Sequence, residues 1–289
     1  MKITVTEADR VDKALARAYP QAGRKQLAAL IEDGAVRIAG KRAKKGDRVA
    51  VGDIIDLERE PLTAEALHPV PEDVPLDILL ERADLVAICK PAGVPTQPLR
   101  AGETGTIANA LAARFPECAT IGDDPRDGGL VHRLDIGTSG VLVAARTPES
   151  YRALRAAFGA GLVAKQYLAL TDQRPVAREC DAPLLQRGKR VVVDMTDGLA
   201  AHTAFTVERA TDAHAVVRCI AQTGRMHQVR AHLAFVGAPI AGDTLYGGAA
   251  LAGFDGFFLH AARIELPGPI VVEADVPARF AAALASVSL

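Results

Sequence analysis

The stretch from Glu60 to Pro75 carries four prolines, Pro61, Pro69, Pro71 and Pro75, and limits what this chain can fold into more than any other feature. A proline has no backbone N–H and a fixed φ, so neither a helix interior nor a central strand runs through such a stretch. Set among acidic and small residues, it reads as an extended linker. The predicted organisation is a small domain over residues 1–60, a linker over 61–75 and a larger domain over 76–289. A length of 289 residues permits one or two cores, and the linker selects two.

Apolar periodicity on the two sides differs. From Asp9 to Tyr19 the residues Val11, Leu15 and Ala18 recur at helical spacing, and Leu27, Leu30 and Ile31 repeat the pattern from Arg24 to Asp33. Gly34 stops the second helix, Val36 and Ile38 alternate as a strand, Ala39-Gly40 turns, and Val49 to Ile55 returns as a strand. Beyond the linker, short apolar strands (Leu85 to Cys89, Gly140 to Ala145, Gln166 to Leu170, Ala215 to Ile220) mix with helices (Ile107 to Phe115, Tyr151 to Ala157, Met226 to Val236, Ala278 to Ala285). Without a regular βα rhythm, this predicts an α+β domain with a largely antiparallel mixed sheet, preceded by a smaller α+β domain.

The amino terminus lacks a basic region followed by an apolar core, and no apolar run approaches the roughly 18 residues of a membrane helix. A soluble intracellular protein is expected. Cys89, Cys118, Cys180 and Cys219 are scattered, which gives neither a zinc knuckle nor a disulfide framework. The net charge of −1 would not suit a nucleic-acid partner, but Arg37, Lys41, Arg42, Lys44, Lys45 and Arg48 crowd one segment. That cluster is an electrostatic footprint for phosphates.

In the run LVHRLDIGTSG, Leu130 to Gly140, one aspartate stands between an apolar segment and a small-residue turn. Val131 and Leu134 read as buried anchors, Gly137 to Gly140 as a tight turn, and Val141 to Ala145 as a departing strand. Asp135 thus sits on a rigid support, and Arg133 two residues before it favours the ionised carboxylate. An isolated aspartate here would cap a turn. The string around it points further.

HRLD followed by TSG resembles the catalytic motif of the RluA family of pseudouridine synthases, whose aspartate attacks the target uridine. Other family-like segments follow in the family's order: DLVAICKPAGVPTQP (Asp84 to Pro98), KQYLAL (Lys165 to Leu170), TGRMHQVRAHLAFVGAPIAGDTLYG (Thr223 to Gly247) and LHAARIEL (Leu259 to Leu266). The resemblance spans nearly the whole chain and implies a pseudouridine synthase fold. It implies catalytic roles for Asp135, for Tyr167 against the flipped uracil, and for Arg230 as the partner of Asp135. His132, Arg133, Thr138, Arg225, His227 and Gln228 are implied to bind substrate. Ile136-Gly137 departs from the family, which carries a polar or charged residue there, and bears on which RNA is read.

The amino-terminal string from Arg10 to Ile55 is similar to a small S-four-like RNA-binding domain, implying RNA contacts by Arg24, Lys25, Arg37, Lys41, Arg42, Lys44 and Lys45. Ala39 departs from it, since Asn commonly precedes the glycine of that hairpin. Uridine isomerisation is redox-neutral, so neither a metal nor an organic cofactor is implied. His227 and His232 are five apart, off the i,i+4 face that two helix-borne metal ligands need. Thr138-Ser139-Gly140 fails the nucleophile-elbow pattern at Val141. The implied partner is RNA, with large-subunit ribosomal RNA or a ribosomal precursor particle ahead of transfer RNA, for a cytoplasmic monomer that does not meet a membrane. A non-catalytic ribosome-assembly factor and a hydrolytic nucleosidase are the rivals.

Overall fold

The computed structural model describes residues 1–20, 22–61 and 65–289, with the side chain of Lys25 outside that description. The chain divides into two units, Met1–His68 with Leu99–Gly102, and Pro69–Pro98 with Glu103–Leu289. Residues 62–64 of the expected linker lie outside the described residues. Its later part is tied down within the larger unit: Val70 and Glu72 carbonyl and amide groups bond the side chain and backbone of Asn109 at 2.8 and 3.2 Å.

The small unit packs helices Val11–Ala18 and Arg24–Glu32 on a four-stranded antiparallel sheet, in the order Lys2–Thr4, Ile54–Leu57, Val36–Ile38, Lys41–Arg42. Val11, Leu15, Leu27, Leu30, Ile31, Val36, Ile55 and Leu57 form its core. Gly34, at φ +77°, ends the second helix in the left-handed conformation, with Ala35 N–H reaching back to the Leu30 carbonyl at 2.9 Å. The single strand expected from Val49 to Ile55 is broken in two, Arg48–Val49 and Ile54–Leu57. Gly52 turns at φ +90° and the Asp53 carboxylate takes Ala50 N–H at 2.7 Å, so local turn chemistry overrides the apolar run.

The larger unit is built on a nine-stranded mixed sheet. In spatial order its strands are Glu179–Cys180, Thr203–Ala210, His214–Ala221, Ala164–Asp172, Leu259–Leu266, Ser139–Ala145, Leu85–Lys90 and Asp77–Glu81, with Ile270–Glu273 also pairing to Leu259–Leu266. Every pairing is antiparallel except that of Leu259–Leu266 with Ser139–Ala145, where His260 meets Ser139 and Ala261 meets Gly140. All seven residues of Ser139–Ala145 are buried because both faces are covered. Val141 and Val143 pack with Tyr151 and Leu154 of helix Pro148–Gly159, while Leu142 and Ala144 pack with Ile107 and Leu111 of helix Ile107–Arg114. Gly140 admits this close parallel approach: a Cβ there would lie 2.2 Å from the Ala261 carbonyl oxygen. Among the described residues no helix is long and apolar enough to cross a membrane.

Candidate active site

Asp135 opens the turn that leads into Ser139–Ala145, its carbonyl accepting Thr138 N–H at 3.0 Å. The residues on either side are fastened to the segment Lys90 to Thr96. The Thr96 hydroxyl donates to the Leu134 carbonyl at 2.7 Å and accepts Leu134 N–H at 3.2 Å. The Ile136 carbonyl accepts from Gly93 N–H at 2.7 Å and from Lys90 Nζ at 3.1 Å. Lys90 is fully buried and also donates to the Pro91 and Val94 carbonyls at 2.9 and 2.7 Å, so each of its three N–H groups is satisfied. Burial pulls its ammonium down to about 8, against the opposing charge of Asp135. Gly137 keeps the turn flat against Phe257, whose ring a Cβ would meet at 2.7 Å.

Helix Gln228–Phe235 brings Arg230 to this carboxylate. Arg230 Nη1 donates to Asp135 Oδ2 at 2.9 Å, while Nε and Nη2 donate to the two oxygens of Asp243 at 2.7 and 2.9 Å. The guanidinium lies between the rings of Phe257 and Tyr246, 4.3 and 5.0 Å from their centroids. Burial opposes its charge, but the bonds and charge of Asp243 and the charge of Asp135 outweigh burial and hold it above the usual arginine range. Arg230 and Asp243 side chains are 7% and 2% exposed, Asp135 21%, so only the last faces solvent. The result is a carboxylate held in one orientation on the wall of a cleft.

That cleft is lined by Arg133, Thr138, Tyr167, Arg225, His227 and Gln228 besides the ion pair. Tyr167 comes from the strand Ala164–Asp172, beside a register shift between Gln166 and Tyr167. Burial, then the charge of Asp135, pushes its phenol up, so at neutral pH the hydroxyl is a donor and the ring an apolar surface. His227 Nε2 stands 3.8 Å from Asp135 Oδ1, and its Nδ1 is 3.0 Å from the Tyr246 hydroxyl, which accepts Val191 N–H at 2.9 Å. Burial lowers the His227 pKa and favours the neutral ring.

Arg133 is exposed and makes no hydrogen bond or ion pair among the described residues. Arg225 Nε donates to the Ala200 carbonyl at 3.0 Å. Gln228 lines the cleft but spends its side chain on the protein: Oε1 accepts from Thr223 Oγ1 and Arg225 N–H, and Nε2 donates to His202 O and Thr203 Oγ1, all within 2.7 to 3.0 Å. It shapes the wall. His132 is turned away from the cleft, its ring stacked on Phe158 and its Nε2 accepting Val143 N–H at 3.0 Å. Burial, with Lys165 and Arg155 nearby, drives it down to about 3, and that neutral acceptor braces the strand after Asp135.

In the small unit, Arg24, Lys41, Lys44 and Lys45 are exposed without a charged partner among the described residues. Arg37 is engaged by Glu58 at 3.0 Å, and Arg42 lies over Gly34, where a Cβ would meet its guanidinium at 2.5 Å. The Lys25 side chain lies outside the described residues.

The family profile described as RNA pseudouridylate synthase matches residues 84–235, and the S4 domain profile matches residues 9–55. The chain belongs to the RluA family of RNA pseudouridine synthases. It is 35% identical to the ribosomal large subunit pseudouridine synthase D of Xanthomonas campestris, over 90% of this chain and 82% of that one. The protein of the same name from Yersinia pestis is 32% identical, over 93% and 87%. The human RNA pseudouridylate synthase domain containing 4 has the same fold, with a TM-score of 0.61 and 24% identity over 73% of this chain and 93% of its own.

In this pseudouridine synthase, sequence reasoning passed over Asp243 and Lys90. Asp243 lies within GDTLYG, where an aspartate between two turns carries no periodic signal. Lys90 ends an apolar strand, where a lysine reads as a solvent-facing terminus. A charge inside a family-like string was the available sign for both.

Proposed function

We propose that the enzyme converts uridine to pseudouridine in large-subunit ribosomal RNA, with Asp135 as the reacting carboxylate. The observation that carries this is the Asp135–Arg230 pair at 2.9 Å, on a cleft wall shared with Tyr167. The carboxylate starts the reaction either by attacking the anomeric carbon or by taking the neighbouring ribose proton. The ribose–N1 bond breaks, the uracil turns, C5 joins the same ribose carbon, and the C5 proton is replaced by one on N1. No water enters. A glycosidase needs a second carboxylate to activate water; here the retained base closes the cycle, and Tyr167 with its protonated phenol covers it.

The relatives' names support the ribosomal substrate, and the S4 domain supports RNA contacts through Arg24, Lys25, Arg37, Lys41, Arg42, Lys44 and Lys45. Residues 1–60 would bind RNA, 61–75 connect, and 76–289 catalyse, in a cytoplasmic monomer. The test is pseudouridine mapping in unmodified large-subunit ribosomal RNA transcript incubated with the protein, alongside RNA from cells with and without the gene. Site-specific pseudouridine in the large-subunit RNA is expected. Modification confined to transfer RNA, release of free uracil, or no modification would each overturn it.

A further inference from the structure

His227 enters helix Gln228–Phe235 at φ +52°, a left-handed conformation that a residue with a side chain seldom adopts. Its carbonyl still starts the helix by accepting Ala231 N–H at 2.9 Å, and its ring lines the cleft. That ring is bonded at one nitrogen only. Nδ1 lies 3.0 Å from the Tyr246 hydroxyl, while Nε2 lies 3.8 Å from Asp135 Oδ1, too far for a hydrogen bond, and meets no other partner among the described residues.

The bonding capacity of the Tyr246 hydroxyl decides which nitrogen carries the proton. Val191 N–H can only donate, and it fills one lone pair of that hydroxyl at 2.9 Å. The Tyr246 residue is 6% exposed and burial raises its phenol, so the phenolic proton stays on and needs an acceptor. Nδ1 is the one acceptor it meets among the described residues. Tyr246 therefore donates to Nδ1, and the neutral ring carries its hydrogen on Nε2. Burial is the largest influence keeping that ring neutral; Arg230 and Arg133 act with it, and Asp135 and Asp243 act against it.

An N–H without an acceptor thus faces the carboxylate that is to react. Arg230 holds Asp135 Oδ2, which leaves Oδ1 to act on the ribose. When the ribose–N1 bond breaks, its electron pair passes to N1 and spreads over O2 and O4 of the uracil. O2 sits on the carbon next to N1, so a donor beside Oδ1 reaches it. A half-turn of the uracil about the axis through N3 and C6 brings C5 to the place of N1 and O4 to the place of O2. One fixed donor can therefore serve the base on both sides of the turn.

We propose that His227 is a catalytic hydrogen-bond donor, its Nε2–H holding uracil O2 as the bond to N1 breaks and O4 as the bond to C5 forms, with Tyr246 as the positioning residue that fixes the tautomer. This rests on Asp135 being the reacting carboxylate, as proposed above. The ring keeps its own proton throughout, and the proton lost from C5 is balanced by the one gained at N1 without passing through it.

Two measurements test the donor. Nitrogen NMR of the isotope-labelled full chain at neutral pH, with the His227 signals identified by their loss in His227→Asn, should show the Nε2–H tautomer, and Tyr246→Phe should mix the two tautomers. An Nδ1–H parent would overturn the proposal. The second measurement is single-turnover pseudouridine formation in unmodified large-subunit ribosomal RNA transcript. Asparagine tolerates the left-handed backbone but is too short to put a donor at Nε2, so His227→Asn should cut the rate about a hundredfold while RNA affinity stays within a few-fold. His227→Gln places an amide N–H near Nε2 and should recover roughly tenfold over His227→Asn.

Replacing O2 or O4 of the target uracil by sulfur, a poorer acceptor, should shrink the parent's advantage over His227→Asn at both positions. An unchanged advantage, or parent-like turnover by His227→Asn, would overturn the donor role. If His227→Asn melts early, the parent's tautomer and the rate of His227→Gln decide, with an Nδ1–H ring or a glutamine variant without turnover counting against the donor. Absence of turnover by the parent would instead overturn the catalytic reading, and the donor role with it.

Discussion

Asp243 grips Arg230 with both carboxylate oxygens, at 2.7 and 2.9 Å, and leaves Nη1 alone to meet Asp135. Asp243→Asn keeps the volume but removes the charge that balances a buried guanidinium. Breaking a buried pair costs about 3–5 kcal/mol, so the melting temperature should drop measurably. Arg230 would also be free to shift on Asp135, and misplacement on the order of 1 Å costs about a hundredfold in rate. Calorimetry with single-turnover assays checks both; parent-like turnover would show that Asp243 does not position the pair.

Asp135→Asn should abolish pseudouridine formation while RNA affinity stays within a few-fold, because the cations proposed to contact phosphates are elsewhere. Turnover by the purified variant, once deamidation is excluded by mass spectrometry, would remove Asp135 from the reaction.

His132 accepts Val143 N–H only as the neutral ring, and its folded pKa is lowered to about 3. A free histidine titrates near about 6.5, so between those values the unfolded chain binds the extra proton. Stability from this group is complete above about pH 6.5 and declines as the pH falls toward 3. His132→Gln keeps an acceptor that does not titrate. Urea midpoints followed from pH 7 to pH 4 should fall less steeply in the variant than in the parent.

Ala39 adopts φ +48° and Gly40 φ +77°, the pair of left-handed residues of a type I′ turn. A non-glycine residue there is strained by about 1–2 kcal/mol, and asparagine relieves part of that strain. Ala39→Asn should slow hydrogen exchange of the amides between Val36 and Arg42; faster exchange would refute the strain.

Neutralising Lys41, Lys44 and Lys45 to Gln should flatten the salt dependence of RNA binding by roughly 0.7 to 0.9 per phosphate bound. Arg37→Gln should matter less, since Glu58 already holds that guanidinium. Salt titrations of the two variants in parallel separate these outcomes.

The sequence revealed elements wherever one apolar period dominates. The helices from Ile107 and Ala278 and the strands from Leu85 and His214 lie where spacing puts them. Turn chemistry was harder to read, because Gly52 and Asp53 end a strand through a φ angle and a side-chain bond that an apolar run conceals. At the site, the motif strings named Asp135, Tyr167 and Arg230, which meet around one cleft. Gln228 and His132 have bonding capacity spent inside the protein, a matter of three-dimensional partners. Asp243 and Lys90 are long-range partners for the same reason, meeting their targets across the fold.

The one parallel seam of the large sheet joins Ser139–Ala145 to Leu259–Leu266, and Asp135 and Arg230 approach from opposite sides of it. In the order of synthesis, the strand that closes the seam follows every proposed catalytic residue. A nascent chain released from the ribosome tunnel only as far as Phe257 would carry Asp135, Tyr167 and Arg230 without the strand that aligns them. Competence would thus come as a late event in the chain's birth, and stalled nascent chains ended on either side of Leu259–Leu266 would show the threshold.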